Sequence, residues 1–216
     1  MAKICDSDGL AVYGDREFFR INYMPRTRQP HHIYTSAPFK PYLLSLGQLT
    51  VSWNGLHETL GLLFSTVMQA EVCNQTLAVW QSINNDRMKR GMLKAAALND
   101  FRGAVPTAYP DDVIWLCAQI DGLEDARNDA VHSPIRGYGE SLSNLSVKPA
   151  TELGNQRAKK LLNKGDVLLD LRKCRDKCVA LAKFAHEMDQ SLIDYTKPWP
   201  ARPSGSGAPR NKKRRA

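Results

Sequence analysis

The feature that most constrains the fold is a seam of apolar residues near the C-terminal end. In it, steps of four and three alternate without a break over about seven helical turns. Residues three and four apart share one face of an α-helix, so this seam predicts a long helix with one buried face. Such a helix needs a second apolar surface to cover it. The members of the seam are Val167, Leu171, Cys174, Cys178, Leu181, Ala185, Met188 and Leu192.

A matching seam in the first half of the chain predicts a second long helix. Proline breaks helices, and none occurs between Pro41 and Pro106 or between Pro149 and Pro198. The two seams can therefore cover each other. The members of this seam are Leu46, Leu49, Trp53, Leu56, Leu60, Leu63 and Val67.

Two further helices are predicted between these two. A looser stripe over about 76–102 contains Ile83, Met88, Met92, Ala95 and Leu98. After Pro110, Asp111 and Asp112 are placed to cap a helix whose own stripe is Val113, Leu116, Ile120 and Leu123. The sequence thus predicts an all-α, up-and-down bundle of four main helices, forming one domain over residues 42–195.

The flanking segments differ from the bundle in composition. Residues 1–41 contain aromatic residues and prolines without a sustained period, and they are predicted to be an N-terminal extension of unassigned structure. Residues 196–216 combine Pro, Gly and Ser with seven basic residues and no acid, which is typical of a disordered basic tail. The chain carries a net charge of +8, so residues 1–195 contribute only +1.

A long loop, 133 to about 160, is predicted before the last helix. Its GYGESLSNLSVKP part can form a small hairpin. Long loops of this kind often carry function. Four of its side chains are the residues that we expect to bind RNA, for the reason given below: Arg136, Tyr138, Lys159 and Lys160.

Several classes of protein are disfavoured. No apolar run approaches the roughly 18 to 20 residues of a membrane span, and MAKICDSDGL lacks a signal-peptide pattern, so a cytoplasmic protein without membrane contact is expected. The five cysteines form no C-x-x-C pair and are expected to be reduced. There is no Gly-rich phosphate loop, nucleophile elbow or deaminase signature, which argues against NTPases, hydrolases of that type and deaminases.

No cofactor and no metal site is expected. Cys174 and Cys178 lie on the apolar seam, which favours core packing over a metal site with His186. His57 and Glu58 do not begin an H-E-x-x-H motif, because Gly61 stands where the second histidine would be. His57 is therefore expected on a solvated face or at the edge of the core.

Arg127 breaks the pattern of the third helix. Continuing its stripe in the same alternation leads to positions 127 and 130, and position 127 is an arginine. An unpaired charge on a buried face is costly. Arg127 is therefore expected either to lie beyond the covered part of the bundle or to face an anionic group. The plainest alternative is a cation near a helix C-terminus, paired with a neighbour such as Glu124.

His132 lies five residues further on, about 140° around an ideal helix from Arg127. Pro134 disfavours helical geometry at Ser133 and so ends the helix near His132. There the histidine can turn towards Arg127, and the helix dipole favours its protonated form. A histidine beside a guanidinium suits chemistry on phosphate, and the amide of Asn128 can position an oxygen atom.

The segment from Arg127 to His132 resembles the R-x4-H motif of the HEPN superfamily (higher eukaryotes and prokaryotes nucleotide-binding), in which a polar residue commonly follows the arginine. The resemblance extends over the helical body through the order of its helices. It implies a metal-independent endoribonuclease whose homodimer joins two motifs in one site. His132 would be the general acid/base, Arg127 would stabilise the transition state, and Asn128 would orient the histidine or the phosphate.

The resemblance also implies partners. RNA would be the substrate, and a toxic or defence-related enzyme of this kind would be controlled by an antitoxin or another regulatory protein. Other members of the superfamily only bind nucleotides, RNA or proteins. The alternative is thus a non-catalytic helical binding module whose basic tail recruits RNA or a protein partner.

Overall fold

A computed structural model describes residues 36–100, 106–139, 145–152, 154–162 and 165–204, and within these ranges the chain is an all-α bundle, as predicted. Residues 1–35 and 205–216 lie outside the described residues, so the predictions for these segments are not addressed. The helices are α1 (Lys40–Val67), α2 (Cys73–Ser82), α3 (Asp86–Leu98), α4 (Tyr109–His132), α5 (Gln156–Leu162) and α6 (Val167–Ile193). The strands are β1 (Ile135–Tyr138) and β2 (Ser146–Pro149).

The two predicted seams form the centre of the bundle. Helices α1 and α6 pack along each other, and their seam residues are buried or partly buried in one core cluster. Burying a Leu, Met or Phe side chain contributes about 1.5 to 3 kcal/mol, so this contact stabilises the fold strongly. The Gln48 side chain accepts a hydrogen bond from Arg175 at 2.8 Å at the edge of this contact.

The second predicted helix, 76–102, is wrong as a single element. Helix α2 ends at Ser82, and Asn85 has extended backbone angles before α3 begins. The Asn85 side chain accepts hydrogen bonds from the backbone N–H groups of Arg87 and Met88, at 2.9 and 3.2 Å. An asparagine that caps a helix in this way starts a new helix rather than continuing the old one.

The break also changes which residues of this region face the core. Met88 and Leu98, both members of the predicted stripe, are exposed, whereas Leu93 and Ala97 are buried. In α2, the fully buried Trp80 packs on Phe64 of α1 with their ring centroids 5.3 Å apart. The break therefore lets α2 cover α1 while α3 packs on both α1 and α4.

The stripe predicted for α4 is confirmed. Val113, Leu116 and Ile120 are fully buried and Leu123 is 8% exposed. Helix α4 runs antiparallel to α3, because Arg87 pairs with Glu124 whereas Lys94 pairs with Asp121. Its N-terminal part packs on α6 through an edge-to-face contact between Trp115 and Phe184, with centroids 5.5 Å apart.

The predicted hairpin forms after α4. Strands β1 and β2 are antiparallel, with Ile135 opposite Pro149 and Arg136 opposite Lys148. Ile135 and Val147 face the core, so the hairpin covers the bundle with one side. A Cβ atom on Gly137 would lie 2.7 Å from the Leu145 side chain, which explains why this strand has a glycine there.

The first part of the predicted disordered tail is in contact with the bundle, which corrects the expectation for residues 196–204. The indole N–H of Trp199 donates to Asp112 at 2.7 Å, and the Arg202 guanidinium pairs with the same carboxylate. Trp199 also meets the Tyr109 ring edge to face, with centroids 5.9 Å apart. Aromatic contact and a buried acid thus attach a segment whose composition is typical of disorder.

None of the helices in the described ranges combines the length and the apolar character needed to cross a membrane.

Candidate functional site

The C-terminal end of α4 has the structure that the sequence predicts. His132 is the last helical residue, and Ser133 is extended with φ −87° and ψ 123°. The Ser133 hydroxyl donates to the backbone carbonyl of Asp129, and Pro134 accepts a backbone hydrogen bond from Ala150 at 2.8 Å. The chain therefore leaves the helix directly after His132 and enters the hairpin.

Arg127 lies on the inner side of this helix end, half-buried, with its guanidinium carbon 5.5 Å from the centroid of the Trp53 ring. Its Nη1 atom donates to the Asn128 side chain at 2.9 Å, and its buried Nε–H has no acceptor within the described part of the chain. No carboxylate of the described residues forms an ion pair with it. Arg127 thus faces an aromatic ring rather than an acid.

The structure does not show the alternative ion pair between Arg127 and Glu124 among the described residues. Glu124 accepts from Arg90 at 2.7 Å and lies 3.5 Å from Arg87. Arg90 is fully buried and also binds Asp121 at 2.7 Å, so two acids of α4 hold this arginine of α3. No pattern in the sequence distinguishes Arg90, because its charged neighbours are typical of a solvated helix face. Only the packing of α3 on α4 reveals its role.

His132 is exposed, and none of the described residues forms a hydrogen bond or ion pair with it. Because it is still helical, ideal geometry keeps its direction about 140° from that of Arg127. Within one chain the structure therefore brings Arg127 and Asn128 together but gives no contact between Arg127 and His132. The expected turn of His132 towards Arg127 is not seen in the single chain.

A second histidine, His57, contacts the same tryptophan ring as Arg127. The His57 ring packs on Trp53 with centroids 5.0 Å apart, and its Nε2 atom lies 3.6 Å from Asp86. His57 is 7% exposed, so it belongs to the core rather than to a solvated face. Its position four residues after Trp53, on the same helix face, was the available signal.

Burial lowers the pKa of His57 to about 4. The Asp86 carboxylate raises this pKa, and the positive charges of Arg90, Lys89 and Arg127 lower it further. The imidazole is therefore neutral at neutral pH. The Trp53 ring thus contacts both a neutral histidine and a charged arginine.

The predicted RNA-binding residues lie on the hairpin and on α5, which contact each other. Arg136 Nη1 lies 3.3 Å from Glu152, and the Tyr138 hydroxyl donates to the same carboxylate at 2.7 Å. Lys148 stands opposite Arg136 on the exposed side of the hairpin. We call the exposed basic side chains of these two elements, together with Tyr138, the basic surface; they are Arg136, Tyr138, Lys148, Arg157, Lys159 and Lys160.

Glu152 organises one part of the basic surface. Burial, together with the hydrogen bond and charge of Glu152, raises the pKa of Tyr138 to about 12. Burial acts to raise the pKa of Glu152, but the Tyr138 hydrogen bond, a backbone hydrogen bond and the Arg136 charge lower it overall. Arg136 and Tyr138 are thus held by an acid, whereas no described residue forms a salt bridge with Lys148, Lys159 or Lys160.

A cleft of about 600 Å³ lies between α4, α5 and α6, with Leu123, Ala130 and Leu161 among its apolar lining residues. Cys174 reaches this cleft, and Cys178 is fully buried, so both cysteines belong to the core as predicted. The hydrogen bond with Cys174 and burial raise the pKa of the Cys178 thiol. Among the described residues, no three His, Cys, Asp or Glu side chains are grouped as a metal site would require.

Comparison of the chain with models of protein families, with curated proteins and with solved structures finds no significant match to any of them.

Proposed function

We propose that this chain is a metal-independent endoribonuclease of HEPN type that acts as a homodimer in the cytoplasm. The observation that carries the proposal is the environment of Arg127. Its guanidinium is half-buried beside an exposed histidine-bearing helix end, and no carboxylate of the described residues neutralises it. A partly desolvated guanidinium without an acid attracts an anion, and phosphate fits its fork of donors.

The reaction would be attack of a ribose 2′-hydroxyl on the adjacent phosphorus. The new O2′–P bond forms as the P–O5′ bond breaks, which leaves a cyclic phosphate and a free 5′-hydroxyl. His132 of one copy takes the 2′ proton, and His132 of the second copy protonates the leaving 5′-oxygen. Arg127 stabilises the charge on the phosphate oxygens in the transition state, and Asn128 orients the arginine and the phosphate.

The divergence of the two side chains supports the proposed homodimer. About 140° around the helix separates Arg127 from His132 within one chain, so a single copy presents them to different directions. A second copy, placed with its own α4 end against the first, supplies a histidine to the arginine of its neighbour. Closed two-fold symmetry is the commonest way in which identical chains associate.

The basic surface supports RNA as the substrate. It is continuous along the chain with His132 through β1, and it presents Lys148, Lys159 and Lys160 without a salt bridge to any described residue. Phosphate contacts by such lysines supply affinity that does not depend on sequence and that weakens with salt. An aromatic side chain, Tyr138, is available beside them for stacking on an unpaired base.

The decisive experiment is cleavage of a mixed single-stranded RNA in excess chelator by the wild type, His132→Ala and His186→Ala. His186 is an exposed histidine on α6 and serves as the matched control. We expect cleavage by the wild type and by His186→Ala, and a loss of at least about 100-fold for His132→Ala. The proposal falls if the wild type is inactive, if chelator abolishes cleavage, or if His132→Ala remains active.

A toxic or defence-related role, with a cognate antitoxin or regulatory protein, belongs to the same proposal. Expression of the wild type should arrest growth of the host cell, whereas His132→Ala should not. Growth arrest by both the wild type and His132→Ala would show that toxicity does not depend on RNA cleavage.

A non-catalytic RNA-binding or protein-binding module is the second candidate. The observation that favours it is that Arg127 contacts Trp53 and Asn128, as a structural residue would. This candidate predicts that deleting residues 205–216 abolishes RNA binding whereas Arg127→Ala leaves it unchanged. The deletion begins at 205 because residues 199 and 202 are needed for the contact with Asp112.

A further inference from the structure

The side chain of Arg127 is long and flexible, and an arginine that stabilises a transition state needs a fixed guanidinium plane. Two contacts of described residues restrain it, the Trp53 ring and the Asn128 side chain. Asn128 is the adjacent residue on the same helix and restrains one nitrogen atom. The orientation of the guanidinium therefore depends chiefly on Trp53.

Trp53 itself is firmly held. It is 2% exposed, and its indole N–H donates to the Asp86 carboxylate at 3.2 Å. Asp86 lies in the first turn of α3, where the helix dipole stabilises a negative charge. The Asn85 cap fixes the point at which α3 starts and therefore the position of Asp86. A contact path thus joins α3, α1 and α4 and ends at Arg127.

The His57 ring completes the support of Trp53. It lies against the indole at a tilt of 44°, and burial keeps it neutral. A neutral ring can pack beside the indole without repelling the guanidinium of Arg127. Because a neutral His57 forms no ion pair with Asp86, the Asp86 carboxylate remains an acceptor for the indole N–H of Trp53. Trp53 is therefore fixed without adding a second positive charge next to Arg127.

A guanidinium whose carbon lies over an aromatic ring can turn its flat side to that ring and leave the N–H groups around its edge available. We propose that Trp53, anchored by Asp86, is a positioning residue that holds Arg127 with its donor edge towards a substrate phosphate. This inference rests on the proposed ribonuclease function. It assigns no contact with the substrate to Trp53 or Asp86, because both act through Arg127.

The first test compares the cleavage kinetics of Trp53→Phe and Trp53→Leu with those of Trp115→Leu. Trp115 is the matched control because the guanidinium carbon of Arg202 lies over its ring, 5.2 Å from the centroid. We expect Trp53→Leu to lower kcat at least about 10-fold with little change in KM, and Trp53→Phe to restore most of the loss. Trp115→Leu should leave kcat unchanged at a temperature where circular dichroism shows a folded protein.

Asp86 provides a second variant pair in case Trp53→Leu does not fold. Asp86→Ala removes the acceptor of the indole N–H, whereas Asp86→Asn retains an acceptor oxygen. We expect kcat to fall several-fold in Asp86→Ala and to recover in Asp86→Asn. Equal loss in both variants, or in neither of them, would overturn the anchoring role.

A spectroscopic measurement reports the contact without relying on cleavage. In protein labelled with ¹⁵N-arginine, the Nε–H signal of Arg127 is assigned with Arg127→Lys, and Trp53→Leu should shift it by removing the ring current. An unshifted signal, or a shifted signal with unchanged kcat, overturns the positioning role. If the wild type does not cleave RNA, the proposed ribonuclease function fails, and with it any role of the Trp53–Arg127 contact in catalysis. Failure of the proposed function can therefore be distinguished from failure of the positioning role alone.

Discussion

The two ends of α4 carry the same pair of residue types in different surroundings. At the N-terminal end the guanidinium carbon of Arg202 lies over the Trp115 ring, 5.2 Å from its centroid, and at the C-terminal end that of Arg127 lies over the Trp53 ring at 5.5 Å. At the first end the 5% exposed Asp112 neutralises the arginine. At the second end no described carboxylate does so. An arginine on a tryptophan is thus a structural contact where an acid completes it, and a candidate anion site where none does.

The largest expected effect is on RNA cleavage, in a comparison of two single variants that replace either Arg127 or Arg202 with glutamine. Arg127→Gln removes the charge that we propose faces the substrate phosphate, so cleavage of RNA should fall at least about 100-fold with little change in thermal stability. Arg202→Gln should lower the melting temperature and leave kcat unchanged. Cleavage assays and thermal unfolding of both variants measure this difference. Equal effects of the two substitutions on cleavage would erase the distinction between the two ends.

At the N-terminal end of α4, substitutions should lower the free energy of unfolding rather than the rate of cleavage. Asp112→Ala leaves the indole N–H of Trp199 without its acceptor and Arg202 without its acid. We expect a loss of about 2 to 3 kcal/mol in the free energy of unfolding, measured with urea. The neighbouring exposed Asp111→Ala is the control, since it removes a similar interaction with the helix dipole. A comparable loss in the control would assign the effect to the dipole.

His57, which packs beside Trp53, makes the free energy of unfolding depend on pH. The pKa of His57 is about 4 in the folded chain, below the ordinary 6.5, so the unfolded chain binds more protons between these values. Its contribution to stability is complete above pH 6.5 and is lost as the pH falls towards 4, by up to about 1.4 kcal/mol per pH unit.

Urea unfolding of the wild type and His57→Phe across this range tests the dependence. Subtracting the two profiles removes the titration of the carboxylates that the proteins share. The difference should rise with pH between 4 and 6.5 and be flat above it. A difference that is constant across the range would contradict the burial of a neutral His57.

The smallest effect is expected from the end of the chain. The described chain stops at residue 204, near the N-terminal end of α4, and the helix places that end about 35 Å from His132. Deleting residues 205–216, which include five basic residues, should weaken RNA binding and make its salt dependence shallower by up to about 3.5 in the log–log slope. The kcat for cleavage should not change. A loss of kcat would show that this segment takes part in the chemistry.

Periodicity was a reliable guide to the helices and to their buried faces. The seams of α1 and α6 and the stripe of α4 are buried or partly buried where the alternation places them, and Pro134 marks the end of α4. It failed in 76–102, where the stripe residues are irregularly spaced and a capping asparagine divides the region. Regular spacing is informative because it specifies one continuous face, whereas a loose stripe is compatible with several helices.

The ion pairs could not be predicted from the sequence in the same way. Glu124 is close to Arg127 in sequence, yet Arg90 of α3 occupies it. Likewise, the composition of residues 196–204 is typical of disorder, yet Trp199 and Arg202 find a buried acid on α4. Such pairs form between helices, and their partners depend on how the helices cross rather than on the distance along the chain.

The sequence by itself determined that Arg127 stands on an inward-facing stripe and that the helix ends at His132. Only the tertiary structure decided that Trp53 covers Arg127, that His57 is buried against the same ring, and that the nearby acids of α4 are bound to Arg90. The physical reason is that a helical period specifies the direction of a side chain, whereas its partner is chosen by the packing of other helices against it.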